Sequence, residues 1–143
     1  MAGPEANLWQ RFRAGQPPKT FLNRIENKHG GGVPDVFVCI DGHPLWIELK
    51  VAKWYDVVLS PHQVAWHTAY NAHGGLSFFL VSDPRSKKLG LIKGLRAVEL
   101  HHGPWSPLAC GIFNTVPEVW GALAQHTAEH YASLAALRPR ALT

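Results

Sequence analysis

Cysteine is scarce in this chain of 143 residues: only Cys39 and Cys110 occur, and they form no C-x-x-C pair. A disulfide framework is therefore not expected, and a reducing cytosol is the default compartment. No apolar run reaches membrane-spanning length, and Met1 to Gln10 lacks the basic-then-apolar layout of a secretion signal. The chain reads as intracellular, with no membrane partner. Internal repeats and low-complexity linkers are also missing. His29-Gly30-Gly31-Gly32 has the look of an esterase oxyanion loop, but that chemistry needs a G-x-S-x-G nucleophile elbow, which the sequence does not contain. The glycines instead suit a mobile loop whose backbone approaches a ligand. At 46% hydrophobic, the chain is long enough for one core and too short for two.

What is present centres on residues 33–51. Val33-Pro34-Asp35-Val36-Phe37-Val38-Cys39-Ile40, the turn Asp41-Gly42-His43-Pro44, and Leu45-Trp46-Ile47-Glu48-Leu49-Lys50-Val51 read as a hairpin apolar on both faces. Such strands are usually central and covered on both sides, and Cys39 within them reads as a small core hydrophobe. Charges buried there cost several kcal/mol unless paired or bound to metal, yet Asp35, Glu48 and Lys50 are set into it. A hairpin symmetric about Gly42-His43 places Asp35 opposite Lys50 and Phe37 opposite Glu48. Opposed residues, and residues two apart, share a face, so the carboxylates lie on a cross-strand diagonal beside the ammonium. That grouping suits a hard divalent cation and a polarised water. A buried salt-bridge cluster is the other reading of the same residues.

The pattern along the rest of the chain alternates α and β. Pro4 to Arg13 reads as a short helix, with Pro4 near its first position and Leu8, Trp9 and Phe12 on one face. Thr20 to Glu26 reads as a strand and Ser60 to Ala72 as a second helix. Leu76 to Val81 is a fourth strand, Leu89 to Ile92 a short further one, and Pro117 to Leu137 a long amphipathic helix. Ser60-Pro61-His62-Gln63 fits a capping box with Gln63 at its third position.

Pro34-Asp35, a hairpin and then Glu48-Leu49-Lys50 resemble the PD-(D/E)xK nuclease signature. Gly32-Val33-Pro34-Asp35 and Ser60-Pro61-His62-Gln63 look like its Holliday-junction-resolvase and VRR-NUC branch, including small phage nucleases. The likeness spans roughly Glu5 to Ser82. It implies a single α/β domain over 1–143: a restriction-endonuclease-like core at about 4–82, with a mixed four-stranded sheet in the order αβββαβ, and an extension at 83–143 carrying the long helix. It implies a DNA endonuclease of junction or flap type that leaves 5′-phosphate and 3′-hydroxyl ends, in phage or bacterial host cytosol. Asp35 and Glu48 would hold Mg²⁺, with Mn²⁺ able to substitute, and the Leu49 carbonyl would be a further ligand. Lys50 would orient or deprotonate the attacking water or stabilise the pentavalent state. Gln63 would reach toward the metal, a role one side chain does not easily combine with capping. Glu5, and less so Glu26, is the expected third acid; the other reading of Glu5 is a first-turn residue favoured by the helix dipole.

A net charge of +4 suits a phosphate backbone, with Arg24, Lys28, Lys53, His67, Lys87 and Lys88 as candidate contacts. The long helix, with Trp120 and Tyr131, is either a homodimer face or part of the monomer core. Two other classes are weighed. One is a catalytically silent nucleic-acid-binding domain, against which the intact Asp35, Glu48 and Lys50 argue. The other is a zinc peptidase using His126-Thr127-Ala128-Glu129-His130, an H-x-x-E-H match. The short remaining chain leaves no room for that peptidase's downstream acidic ligand, and both histidines fall off the apolar stripe.

Overall fold

A computed structural model describes residues 3–25 and 31–137. Glu26, Lys28, His29 and Gly30 lie outside the described residues. The elements are α1 (Pro4–Ala14), β1 (Thr20–Arg24), β2 (Val36–Ile40), β3 (His43–Val51), α2 (Pro61–Ala72), β4 (Ser77–Asp83), β5 (Lys88–Lys93), α3 (Ala97–His102), β6 (Gly111–Phe113) and α4 (Val116–Ala136). Short 3₁₀ turns at Gly94–Arg96 and Ser106–Leu108 flank α3.

The strands form one mixed sheet in chain order, β1 to β6. Among the described residues only β3 and β4 pair in parallel, because α2 carries the chain back between them; the other neighbours are antiparallel. The expected αβββαβ order is present, but the sheet has six strands rather than four. Lys88–Lys93 pairs fully with β4, and the three-residue β6 extends that edge.

The two sheet faces carry different layers. Leu8 and Phe12 of α1 and Val119, Trp120 and Leu123 of α4 bury against Val36, Val38, Leu45, Ile47, Phe78 and Leu80. Phe12 stacks on Trp120 at 4.3 Å, and the Trp120 indole N–H donates to the Phe12 carbonyl at 3.0 Å. Tyr131 stacks on His43 and donates to the Pro44 carbonyl. The aromatic face of the long helix therefore packs within the monomer, Trp120 buried and Tyr131 partly so. On the opposite face, Phe79, Val81 and Ile92 pack with Ala97, Leu100 and Trp105, beside α2.

The hairpin turn sets the position of the charged residues. Asp41 and Gly42 both take positive φ, 50° and 78°, the conformation of a two-residue I′ turn. Ile40 therefore pairs with His43, and Phe37 with Trp46. The expected register, centred on Gly42-His43, is off by two residues. A shift of two keeps every side chain on its face, so Asp35, Glu48 and Lys50 still share one.

Candidate active site

Val36 pairs with Ile47 in the last step of the β2–β3 ladder. Continuing that register puts Asp35 opposite Glu48 and Pro34 opposite Leu49, so the carboxylates are directly opposed rather than diagonal. β2 starts only at Val36, while β3 runs on to Val51. The Leu49 N–H thus outlasts its partner strand, and the Asp35 carboxylate accepts it at 2.9 Å. Pro34 has no N–H to give the Leu49 carbonyl, which faces the same edge. The Pro-Asp pair ends the ladder and leaves a carboxylate and a carbonyl oxygen beside the Glu48 carboxyl.

Helix α2 closes the other side. Ser60 is its N-cap, and its hydroxyl accepts the Gln63 N–H at 3.1 Å. The Gln63 Oε1 accepts both the Ser60 N–H at 2.9 Å and the Lys50 ammonium at 3.1 Å. Its Nε2 donates to Glu48 Oε1 at 3.1 Å. Capping and contact with the acid cluster, which looked mutually exclusive in the sequence, are both made because an amide has a donor end and an acceptor end. Gly32 packs on this turn at φ 77°, and a Cβ there would stand 2.0 Å from the His62 carbonyl oxygen. Gly32, Asp35, Glu48, His62 and Gln63 line a cleft of about 330 Å³.

Glu48 is only 1% exposed. Burial pushes its carboxyl up to about 10, helped by a hydrogen bond and the charge of Asp35, with Lys50 opposing. Glu48 therefore holds a proton at neutral pH. A buried acid held protonated beside a second carboxylate is a state that a divalent cation relieves. Glu5 lies on an exposed position of α1, yet burial of its carboxyl and the Asp35 charge raise it, against Lys50 and Arg24. Its charge also acts on Glu48, while no three His, Cys, Asp or Glu side chains among the described residues converge to hold a metal. The oxygen donors at hand are two carboxyl groups and a carbonyl, a set that fits Mg²⁺, which keeps several waters and needs few protein ligands.

His67 requires a correction. It is fully buried, its Nδ1 2.7 Å from the Ser77 hydroxyl, and its ring packs on Phe79. Burial, with Lys50 adding to it, lowers its pKa to about 3. It is a neutral packing residue and cannot touch a phosphate. Lys88 is tethered to the Asn114 side chain, and Arg24 lies over the Trp9 ring at 5.6 Å. Lys53 and Lys87 are exposed. The histidines of α4 go to different neighbours: His130 to the Gly74 carbonyl at 2.9 Å, and His126 against Phe78. The sequence reading passed over the packing of Gly32 and the ladder-ending role of Pro34. The signal for Pro34 was there, since a proline at the margin of a strand pattern marks where pairing stops.

A scan of protein-family models returned no match, as did a search of curated proteins. Among solved structures, the chain is similar to Hjc, a Holliday junction resolvase from the archaeal hyperthermophile Archaeoglobus fulgidus. The two share 17% identity at a TM-score of 0.54, over 82% of this chain and 96% of that one. At that identity the likeness is one of fold alone; in this chain the fold is a mixed α/β architecture in which a six-stranded mixed sheet carries helices on both faces.

Proposed function

We propose that this protein is a metal-dependent DNA endonuclease that hydrolyses phosphodiester bonds, acting on junction or flap structures. The observation that carries this reading is the opposed Asp35–Glu48 pair at the end of the β2–β3 ladder, tied to Lys50 through one amide. Support comes from the fold likeness to a protein described as a Holliday junction resolvase.

Asp35, Glu48 and the Leu49 carbonyl would hold Mg²⁺, which when bound supplies a polarised water and neutralises charge on the phosphoryl oxygens. The chain's own residues do the rest. Gln63 fixes Glu48 and Lys50 relative to each other, so that neither has to be ordered when substrate arrives. Lys50 gives one N–H to Gln63 and has others for the attacking water or the phosphoryl oxygens. Its charge faces the place where negative charge grows during attack, where a preorganised donor counts most. Neutral His67, buried behind it, adds no competing charge. The products would carry 5′-phosphate and 3′-hydroxyl ends.

A cleavage panel at fixed salt tests the reading: linear duplex, single strand, flap and four-way junction, each with Mg²⁺ and with EDTA. Cutting is expected with Mg²⁺ only, and preferentially on the flap or junction. A protein that binds these DNAs but cuts none would be a silent binding domain, and the proposal would fall.

A further inference from the structure

The connection between β3 and α2 carries a feature that packing does not explain. Lys53 and Asp56 exchange both backbone hydrogen bonds, at 2.9 and 3.1 Å, closing a four-residue turn whose central pair is Trp54-Tyr55. Those positions usually hold Gly, Asn or Asp. Trp54 instead takes φ 59°, a region bulky side chains avoid, and it is 73% exposed, with Tyr55 59% exposed. Arg85 ties the two rings together. Its guanidinium lies 4.3 Å from the Tyr55 centroid and 5.3 Å from that of Trp54, and it donates to the Tyr55 hydroxyl at 3.1 Å. Arg85 is itself held by a tight turn, its N–H on Asp83 Oδ1 at 3.0 Å. Two hydrogen-bonded turns therefore present an exposed aromatic surface with a cation on it.

The place of this turn in the chain matters. It begins three residues after Lys50 and ends just before the Ser60 cap that carries Gln63. Its two ends lead into strand β3 and helix α2, the elements that carry Lys50 and Gln63. Lys53 at the start of the turn is exposed beside the exposed Asp56 that closes it, and the Arg85 guanidinium over the rings supplies a further cation for a phosphate backbone.

We propose that Trp54, Tyr55 and Arg85 form a stacking platform for an unpaired nucleobase, on a strand whose backbone leads toward Asp35 and Glu48; this rests on the nuclease reading above. Every base has a π face, so aromatic stacking reads single-strandedness without reading sequence. A platform of this kind selects DNA with unpaired bases over continuous duplex.

The test measures binding in EDTA by fluorescence anisotropy, using a labelled single-stranded oligonucleotide and a duplex of the same length at fixed salt. Trp54→Ala should weaken single-strand binding roughly tenfold, within the range for losing a base–aromatic stack, and leave duplex binding within twofold. Trp54→Phe should keep most of the affinity but lose the quenching of tryptophan emission that single strand causes in the unmodified protein. Trp54 is exposed, so neither variant threatens the fold. Equal losses on both DNAs, no loss at all, or no single-strand binding by the unmodified protein would overturn the platform; the last two would point to a protein partner for these aromatics. Cleavage with Mg²⁺ is scored separately. Cutting by the unmodified protein with unaltered Trp54→Ala binding sinks the platform alone. Trp54-dependent binding without cutting sinks the nuclease reading alone.

Discussion

Replacing Glu48 by Gln should make the protein less sensitive to alkaline pH, and the size of the effect follows from the burial of that carboxyl. Glu48 rises from an ordinary 4.5 to about 10 in the fold. A carboxyl whose folded value exceeds its unfolded one keeps a proton that the unfolded chain has lost. Its contribution to stability is full below about 4.5 and drains away as pH climbs toward 10. Each pH unit in that window costs about 1.4 kcal/mol for one proton. Between pH 7 and pH 8.5 the unmodified protein should therefore lose about 2 kcal/mol through Glu48. With a urea m-value of about 1–3 kcal/mol/M, that moves the midpoint by roughly 1 M. Gln has the same shape and stays neutral; its oxygen can accept from Gln63 and its NH₂ can face Asp35. Glu48→Gln should thus lack this slope. The assay is urea unfolding of both proteins at the two pH values, with EDTA throughout. His67, neutral down to about pH 3 in the fold, contributes nothing above the ordinary histidine range, and the comparison of two proteins cancels other groups. Equal slopes would show that Glu48 is ionised in the fold and refute its protonation there. A large loss of stability in the variant at both pH values would refute it as well.

Other consequences can be measured on single variants. Lys50→Ala should keep metal binding and DNA affinity but lose turnover about 10²-fold, whereas Lys87→Ala should keep turnover at saturating DNA and reduce the log–log salt slope of binding by about 0.9; normal cutting by Lys50→Ala removes it from the mechanism. Gln63→Glu keeps the acceptor that caps α2 but sets an oxygen against Glu48 where an N–H donor stood. Cleavage should fall about tenfold or more, a change of about 1.4 kcal/mol in barrier, while unchanged turnover would take Gln63 out of the site. Gly32→Ala combines a positive φ with a Cβ 2.0 Å from the His62 carbonyl oxygen; it should cost about 2 kcal/mol or more, and unaltered urea midpoints would show that the loop can move off the helix freely.

The grouping of Asp35, Glu48 and Lys50 was legible in the sequence because it depends on the parity of strand positions, and parity survived a two-residue change in register. The register itself was misread because Asp41-Gly42, rather than Gly42-His43, forms the turn; the Asp-Gly pair carries that signal. Strand β6 is three residues long and too short for alternation to show. Helix α3 spans six residues and has too few turns for a periodic stripe. His67 sits one turn past Gln63, and nothing in the local pattern shows that Ser77 and Phe79 would enclose it. That depends on the parallel pairing of β3 with β4. Trp120 and Tyr131 read equally well as an outer or an inner face, and Phe12 and Pro44, distant in sequence, decide for the inner one.

The central claim is that the opposed carboxyl pair carries Mg²⁺-dependent phosphodiester cleavage. It is tested most directly by cleavage rates on an end-labelled four-way junction, measured side by side for the unmodified protein and Asp35→Ala at equal fold content and in excess Mg²⁺. The account predicts cutting by the unmodified protein and a drop of about 10²-fold or more in the variant, some 2.7 kcal/mol of lost transition-state stabilisation. Cutting by Asp35→Ala at the unmodified rate would contradict it.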